Sequence, residues 1–327
     1  IFIAINLLIL ISGKSWIYKA ISITYLKGHT SSYIHDFVHF PANTIEAGTH
    51  QEWLIAKDYN KANLPEFIKP INKELETVAF LVIINDSITY EEYWHGYSED
   101  SASNSFSMSK SYISTLVGVA IKDNIINIDQ KVCDFLPEYC GEKERNITIK
   151  NLLTMSSGLN WNEGYYNPFG KTAEAYYGNN LKKLVMNLKV IEPPGKVFKY
   201  YSCNTQLLAF ILESVTGKSI NEYASEKLWI PMGAKHPALW NTDKKEGDEK
   251  AFCCINSNAR DFARIGKLYM NNGNWNGTQI IDSTYVSQAT SAADLLDKDG
   301  NKNLNYGYQF WITNYKDLDI YYARGLW

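Results

Sequence analysis

The sequence predicts a mixed α/β (α+β) fold: an antiparallel sheet flanked by helices, with a mostly helical lobe set between its early and late strands. Three observations carry this reading. An apolar, β-branched run at residues 77–84 is followed by turn residues and an alternating run, which is a hairpin pattern. Segments with helical apolar spacing then fill the middle of the chain. Strand-like runs return late, as YGYQFWI (306–312) and DIYYARG (319–325). The length of 327 residues suits one large domain or two coupled ones. Apolar residues at 45% and charged residues at 20% are ordinary for a globular chain, so global disorder is excluded. Lys+Arg number 32 against Asp+Glu 35, a net charge of −3. With no basic excess to neutralise a phosphate backbone, nucleic acid is not an expected partner.

The elements follow in order. The opening IFIAINLLILIS is apolar but too short to span a bilayer alone. It reads as a signal-peptide core or the tail of a membrane anchor, so residues 1–30 are assigned to a signal peptide or anchor. An exported protein follows, periplasmic or extracellular, touching the membrane only through this segment. Both ends read as the ends of a fragment. Residues 31–75 lack strong periodicity and are taken as a connector. Thr77 to Ile84 reads as a buried strand, Asn85-Asp86 as the turn and ITYEEYW as the second strand. At 107–123, Ile113, Leu116, Val117, Ala120 and Ile121 fall at helical steps, with Ser105 or Ser107 as cap. Further helices are expected at 149–156, at 205–216 (ended by Gly217) and at 257–271, and NNGNWNG (271–277) is turn-rich. The α/β lobe is then 76–120 with 265–327, and the mostly helical lobe is 121–264.

Several chemistries lack their residues. The five cysteines, Cys133, Cys140, Cys203, Cys253 and Cys254, form no CxxC and no zinc spacing. Cys133 and Cys140 are close enough for a disulfide, which spacing alone leaves open. His35 and His39 stand four apart around Asp36 but have no evident third ligand. There is no P-loop, G-x-G-x-x-G or G-x-S-x-G. Neither a metal nor an organic cofactor is expected.

Ser107-Met108-Ser109-Lys110 is an S-x-x-K motif at a helix start. Three residues make nearly one turn, so hydroxyl and amine face the same side. A serine hydroxyl is a poor nucleophile until a base takes its proton, and a lysine in a dry cleft has a lowered pKa suited to that task. Tyr200, in FKYYSCNT before the 205–216 helix, could relay a proton beside such a lysine. Tyr201 is the lesser alternative. Between them, LLTMSSGLNW (152–161) leads into a loop with Glu163, Tyr165 and Tyr166 that either lines a cleft or lies on the surface.

Together SFSMSKS, LLTMSSGLNW, PPGKVFKYYSCNT, LWIPMGA, NARDFARIGKLY and NYGYQFW, in this order, resemble the serine β-lactamase/penicillin-binding-protein superfamily. The branch they resemble most contains esterases and 6-aminohexanoate-dimer hydrolases. The resemblance implies a β-lactamase/transpeptidase-like fold. It also implies acyl transfer on an ester, amide or D-amino-acid peptide, with Ser107 as nucleophile, Lys110 as its activating partner and Tyr200 as general base and acid. Ser202 stands where β-lactamases carry an asparagine that holds the antibiotic's acylamide group, which favours an esterase or amidase. Tyr166 and Gly325 are the further supporting residues. Gly325 and Leu326 lie near the third motif, and the second oxyanion-hole donor is expected at or beyond Trp327. The rival reading is a catalytically inactive penicillin-binding-like ligand-binding or sensor protein.

Overall fold

The computed structural model of the chain describes residues 2–326. It runs through α1 (Phe2–Ile11), α2 (Trp16–Ile23), β1 (Ala42–Ile45), β2 (Leu54–Ile55), α3 (Ile68–Glu74), β3 (Ala79–Ile84), β4 (Ser87–Tyr93), β5 (Ser103–Asn104) and α4 (Ser109–Lys122). The middle of the chain forms α5 (Ile149–Leu153), α6 (Lys171–Tyr177), α7 (Leu181–Met186), α8 (Ser202–Thr216), α9 (Ile220–Ala224), β6 (Ala238–Asn241) and β7 (Ile255–Ser257). Then follow α10 (Ala259–Met270), the β8–β9 hairpin (Asn274–Trp275, Thr278–Gln279), α11 (Ser283–Ala289), β10 (Trp311–Tyr315) and β11 (Leu318–Tyr322).

Two hairpins form where the turn chemistry places them. Asn85 and Asp86 both have positive φ (49° and 61°), the backbone that matches strand twist in a two-residue turn, and β3 and β4 pair antiparallel across them. A bulge falls between Val82 and Ile83. Lys316 and Asp317 do the same for β10 and β11. A second sheet, in the order β1-β6-β7-β5, is antiparallel throughout. It ends in β5, immediately before the S-x-x-K turn.

The core is built on α4 and α8, which pack against each other. Ile113, Leu116, Val117 and Ala120 of α4 are fully buried. Every residue of α8 from Ser202 to Leu212 is buried, as for a helix enclosed on all sides. Gly217, at φ 66°, closes α8 in the left-handed conformation that a side chain disfavours. This helix pair fixes the functional residues, because one helix opens at Lys110 and the other just after Tyr200.

Several expectations need correction. Neither Ser105 nor Ser107 caps the helix with its side chain; the chain enters α4 through a 3-10 turn, Phe106–Met108. The strand β3 is half-buried rather than buried, because it is the edge of the β2-β4-β3 sheet. The segment 306–310 is not strand; β10 begins at Trp311. The turn-rich stretch holds the short β8–β9 hairpin. Within 121–264, expected to be mostly helical, β6 and β7 join the β1-β6-β7-β5 sheet. The connector is partly ordered into sheets, with β1 on β6 and β2 parallel to β4. Nor does packing break at residue 30: Trp16, Ile17, Ala20 and Ile23 are buried and α2 packs on α6. Among the described residues no helix is long and apolar enough to cross a membrane. The exposed residues Ile3, Leu7, Leu10 and Ile11 leave α1 with an uncovered apolar face.

Candidate active site

The strand β5 delivers the chain to the nucleophile turn under strain. Asn104 Oδ1 accepts from the Phe106 N–H at 2.9 Å, and Phe106 sits at φ 43°, rare for a residue with a side chain. Ser107 is half-buried and Lys110 is 1% exposed. Residues three apart eclipse in a 3-10 turn, which brings the Lys110 Nζ to 2.9 Å from the Ser107 Oγ. The Lys110 amine also donates to the Phe252 carbonyl at 2.7 Å. The Tyr200 ring centre lies 5.1 Å from Lys110 Nζ, and its phenol is near enough to Ser107 for the serine to oppose the rise in its pKa. The tyrosine is wedged between Trp311, stacked at 5.3 Å, and the edge-on ring of Tyr306. Tyr201 instead packs, partly buried, against the core.

Electrostatics divides the roles. Burial lowers the Lys110 pKa to about 8, against which the Glu163 carboxylate pulls upward. A substantial fraction of neutral amine is therefore present near neutral pH to accept the Ser107 proton. Burial pushes the Tyr200 phenol above its ordinary value, although Ser107 opposes this. Tyr200 is therefore a neutral proton carrier at rest. The resemblance implied a general base there, a role that the raised pKa of the phenol disfavours and that the lowered pKa of Lys110 suits.

Around this centre the cleft is lined by Phe106, Glu163, Tyr165, Ser202, Phe252, Cys253 and Leu326. The Glu163 carboxylate accepts from the Ser202 N–H and Ser202 hydroxyl, both at 2.8 Å, and from the Trp161 indole at 2.8 Å. The Tyr165 hydroxyl also bonds to it. Ser202 is thus at the site, but its hydroxyl is committed to Glu163. Tyr166, expected to support the site, is 76% exposed and absent from the cleft lining. Its neighbour Tyr165 lines the cleft while remaining 38% exposed. Larger depressions exist, one of about 670 Å³ beside Tyr90 and Trp94, but it holds no serine–lysine pair.

Gly325 packs directly on the nucleophile turn. A Cβ there would lie 2.3 Å from the Ser105 carbonyl oxygen and 3.0 Å from Phe106 Cβ, which only glycine avoids. Gly325→Ala is expected to push this segment off the turn, lowering turnover at least about tenfold and stability by roughly 1–3 kcal/mol. Ester turnover and thermal melting of the variant check both. The second oxyanion donor was placed at or beyond Trp327, which lies outside the described residues; Leu326 itself lines the cleft.

Among the described residues no cluster of three or more His, Cys, Asp or Glu could hold a metal, and Asp36, between His35 and His39, accepts from the Tyr33 N–H. Cys133 and Cys140 form a disulfide, and so do the adjacent Cys253 and Cys254. Cys203 is free and buried. Sequence reasoning missed the Phe252 carbonyl, which leaves no trace in residue identity, and the pairing of Cys253 with Cys254, whose adjacency was the available signal.

A serine hydroxyl held by a buried, partly neutral amine, with a phenol nearby, at the mouth of a cleft, defines a serine hydrolase. More particularly, the chain belongs to the Beta-lactamase family, whose model matches residues 64–327. It is 26% identical over 285 residues to the 6-aminohexanoate-dimer hydrolase of Paenarthrobacter ureafaciens, covering 82% of this chain and 72% of that one. A solved Bacillus anthracis protein with the provisional name 6-aminohexanoate-dimer hydrolase superposes with a TM-score of 0.76 at 24% identity, over 89% of this chain and 84% of that one. A family VIII carboxylesterase superposes at 0.61 with 17% identity, over 80% and 83% of the two chains. These superpositions show a β-lactamase/transpeptidase-like fold.

Proposed function

We propose that the chain cleaves small linear esters or amides, including 6-aminohexanoate-type oligomers or D-amino-acid peptides, through an acyl-enzyme on Ser107. The observation that carries this is the approach of Lys110 Nζ to within 2.9 Å of the Ser107 oxygen, with the Tyr200 ring 5.1 Å from the same amine. Neutral Lys110 takes the Ser107 proton as Oγ bonds to the carbonyl carbon. The Ser107 N–H is one donor for the resulting oxyanion. Tyr200 gives its proton to the departing oxygen or nitrogen and recovers one from Lys110. Water then attacks the acyl-enzyme by the same relay in reverse, releasing the acid and restoring Ser107. A poor fit to β-lactams is supported by position 202, where a hydroxyl already spent on Glu163 replaces an amide.

The test is labelling by a fluorophosphonate, followed by a panel of p-nitrophenyl esters, nitrocefin and aminohexanoate dimer. Labelled wild type with ester or dimer turnover supports the reading. A folded but unlabelled protein would favour the inactive binding role. Tyr200→Phe is expected to lower turnover by about two orders of magnitude or more, and Tyr201→Phe to change it only a few-fold; the reverse ranking would move the relay to Tyr201.

We further propose that the protein is exported. The Cys133–Cys140 disulfide supports this, since such bonds persist in oxidising compartments. The uncovered apolar side chains of α1 are the surface that would touch a membrane. Fractionation of cells making the full-length protein checks it, and recovery in the cytosol with reduced thiols would end the proposal.

A further inference from the structure

The wall of the cleft opposite Tyr200 is a segment, 249–254, fastened at nearly every carbonyl. Gln206 holds the Glu249 oxygen at 2.9 Å, and the Trp240 indole lies 3.1 Å from the oxygens of Lys250 and of Cys253. The Ser109 hydroxyl holds the Ala251 oxygen at 3.0 Å, and the Asn241 N–H and Asn256 amide hold the Cys254 oxygen. The remaining carbonyl, that of Phe252, belongs to Lys110. It is followed at once by Cys253 and Cys254, whose sulfurs are bonded to each other. Their bond closes a ring through a single peptide unit. Cys254 also sits at φ 76°, a conformation that residues with side chains rarely adopt. The ring therefore imposes a backbone path that the sequence of this turn would not take freely.

We propose that the Cys253–Cys254 disulfide is a positioning element for the reaction: it holds the Phe252 carbonyl on Lys110, which turns the lone pair of the neutral amine toward the Ser107 hydroxyl. The inference rests on the acyl-enzyme reading above and deepens it. The reasoning is a count of hydrogens and lone pairs. Neutral Lys110 has two N–H hydrogens and one lone pair. The carbonyl can only accept, so it takes a hydrogen and leaves the lone pair for the hydroxyl. An amine without that acceptor rotates among orientations, most of which present no base to Ser107. The other groups around Lys110 do not replace the carbonyl. Glu163, from the 162–170 loop, acts on it only at a distance, as does Cys203 of α8, and Tyr200 offers its ring face.

Cys253 lines the cleft but is only 4% exposed and Cys254 1%, so exchange with a dithiol requires this wall of the cleft to open first. One thiolate of the reductant attacks a sulfur of the pair, forming a mixed disulfide. Its second thiolate displaces the protein sulfur, so the reductant leaves as a disulfide and the two cysteines keep two protons and two electrons. The active enzyme is then the oxidised form.

The test uses the full chain on a p-nitrophenyl ester over a range of pH, as isolated, after dithiothreitol, after reoxidation, and as Cys253→Ser and Cys254→Ser. Peptide mapping reports which thiols are free. Loss of the 253–254 bond is expected to lower the kcat plateau by about tenfold to a hundredfold, the scale of a misplaced catalytic group, with little change in KM. The acidic limb should move to lower pH, because an ammonium without its carbonyl acceptor gives up its proton more readily. Reoxidation should restore both in the wild type. Cys133→Ser, which breaks only the other disulfide, should leave the limb in place. Two free thiols at 253 and 254 in fully active enzyme, or a limb that stays or rises when the bond is lost, would overturn the inference. An inactive but folded wild type would instead count against the acyl-enzyme reading.

Discussion

Ser107→Ala is expected to abolish fluorophosphonate labelling and to lower ester turnover by roughly four orders of magnitude or more. The residue carries the only bond the mechanism forms to substrate. Without it, Lys110 and Tyr200 retain their places but have no oxygen to activate. The fold should survive, since the hydroxyl is half-buried and the strained turn is held by Asn104 and by Gly325 packed over Ser105. Matching circular dichroism and melting for variant and wild type would show this. A folded variant that keeps even about a tenth of wild-type turnover would mean that the nucleophile is another group.

Lys110→Met should cost about two to four orders of magnitude in turnover, the range typical of a proton-transfer partner. Its pH signature is more diagnostic than its size. The proposed base is the neutral amine, whose pKa burial lowers to about 8. In the wild type, kcat/KM should therefore fall below that pH and rise through it to a plateau. The residual activity of Lys110→Met should lose this limb. A second signature lies in stability. Unfolded, the lysine holds its proton up to its ordinary value of 10.5; folded, it releases it near 8. Between those values the unfolded chain binds more protons, so this residue's contribution to stability improves as pH rises through the window. The variant lacks that dependence. A wild-type limb centred near an ordinary lysine or carboxylate value would remove Lys110 as the base.

The parts of the fold visible in the sequence were those set by neighbours along the chain. Asn85-Asp86 marked its hairpin because few residue types accept two successive positive φ values. The spacing of Ile113, Leu116, Val117 and Ala120 marked α4 because one helix face must meet the core. The expected caps failed because the Ser105 and Ser107 hydroxyls had other partners: Ser105 accepts from the Ile255 N–H across the sheet, and Ser107 takes Lys110. The strand β1 and helix α2 escaped notice because their signals are short and their stability comes from β6 and α6, far along the chain.

The sequence by itself determined which serine and lysine stand together, because residues three apart at a helix start face the same side. Only the tertiary structure decided that burial raises the pKa of the Tyr200 phenol, that Ser202 holds the Glu163 carboxylate, and that a backbone carbonyl beside a pair of adjacent cysteines grips Lys110. Those are matters of burial and of contacts between residues some forty to a hundred and forty positions apart, and a pKa or a lone-pair direction is set by what is nearby in space.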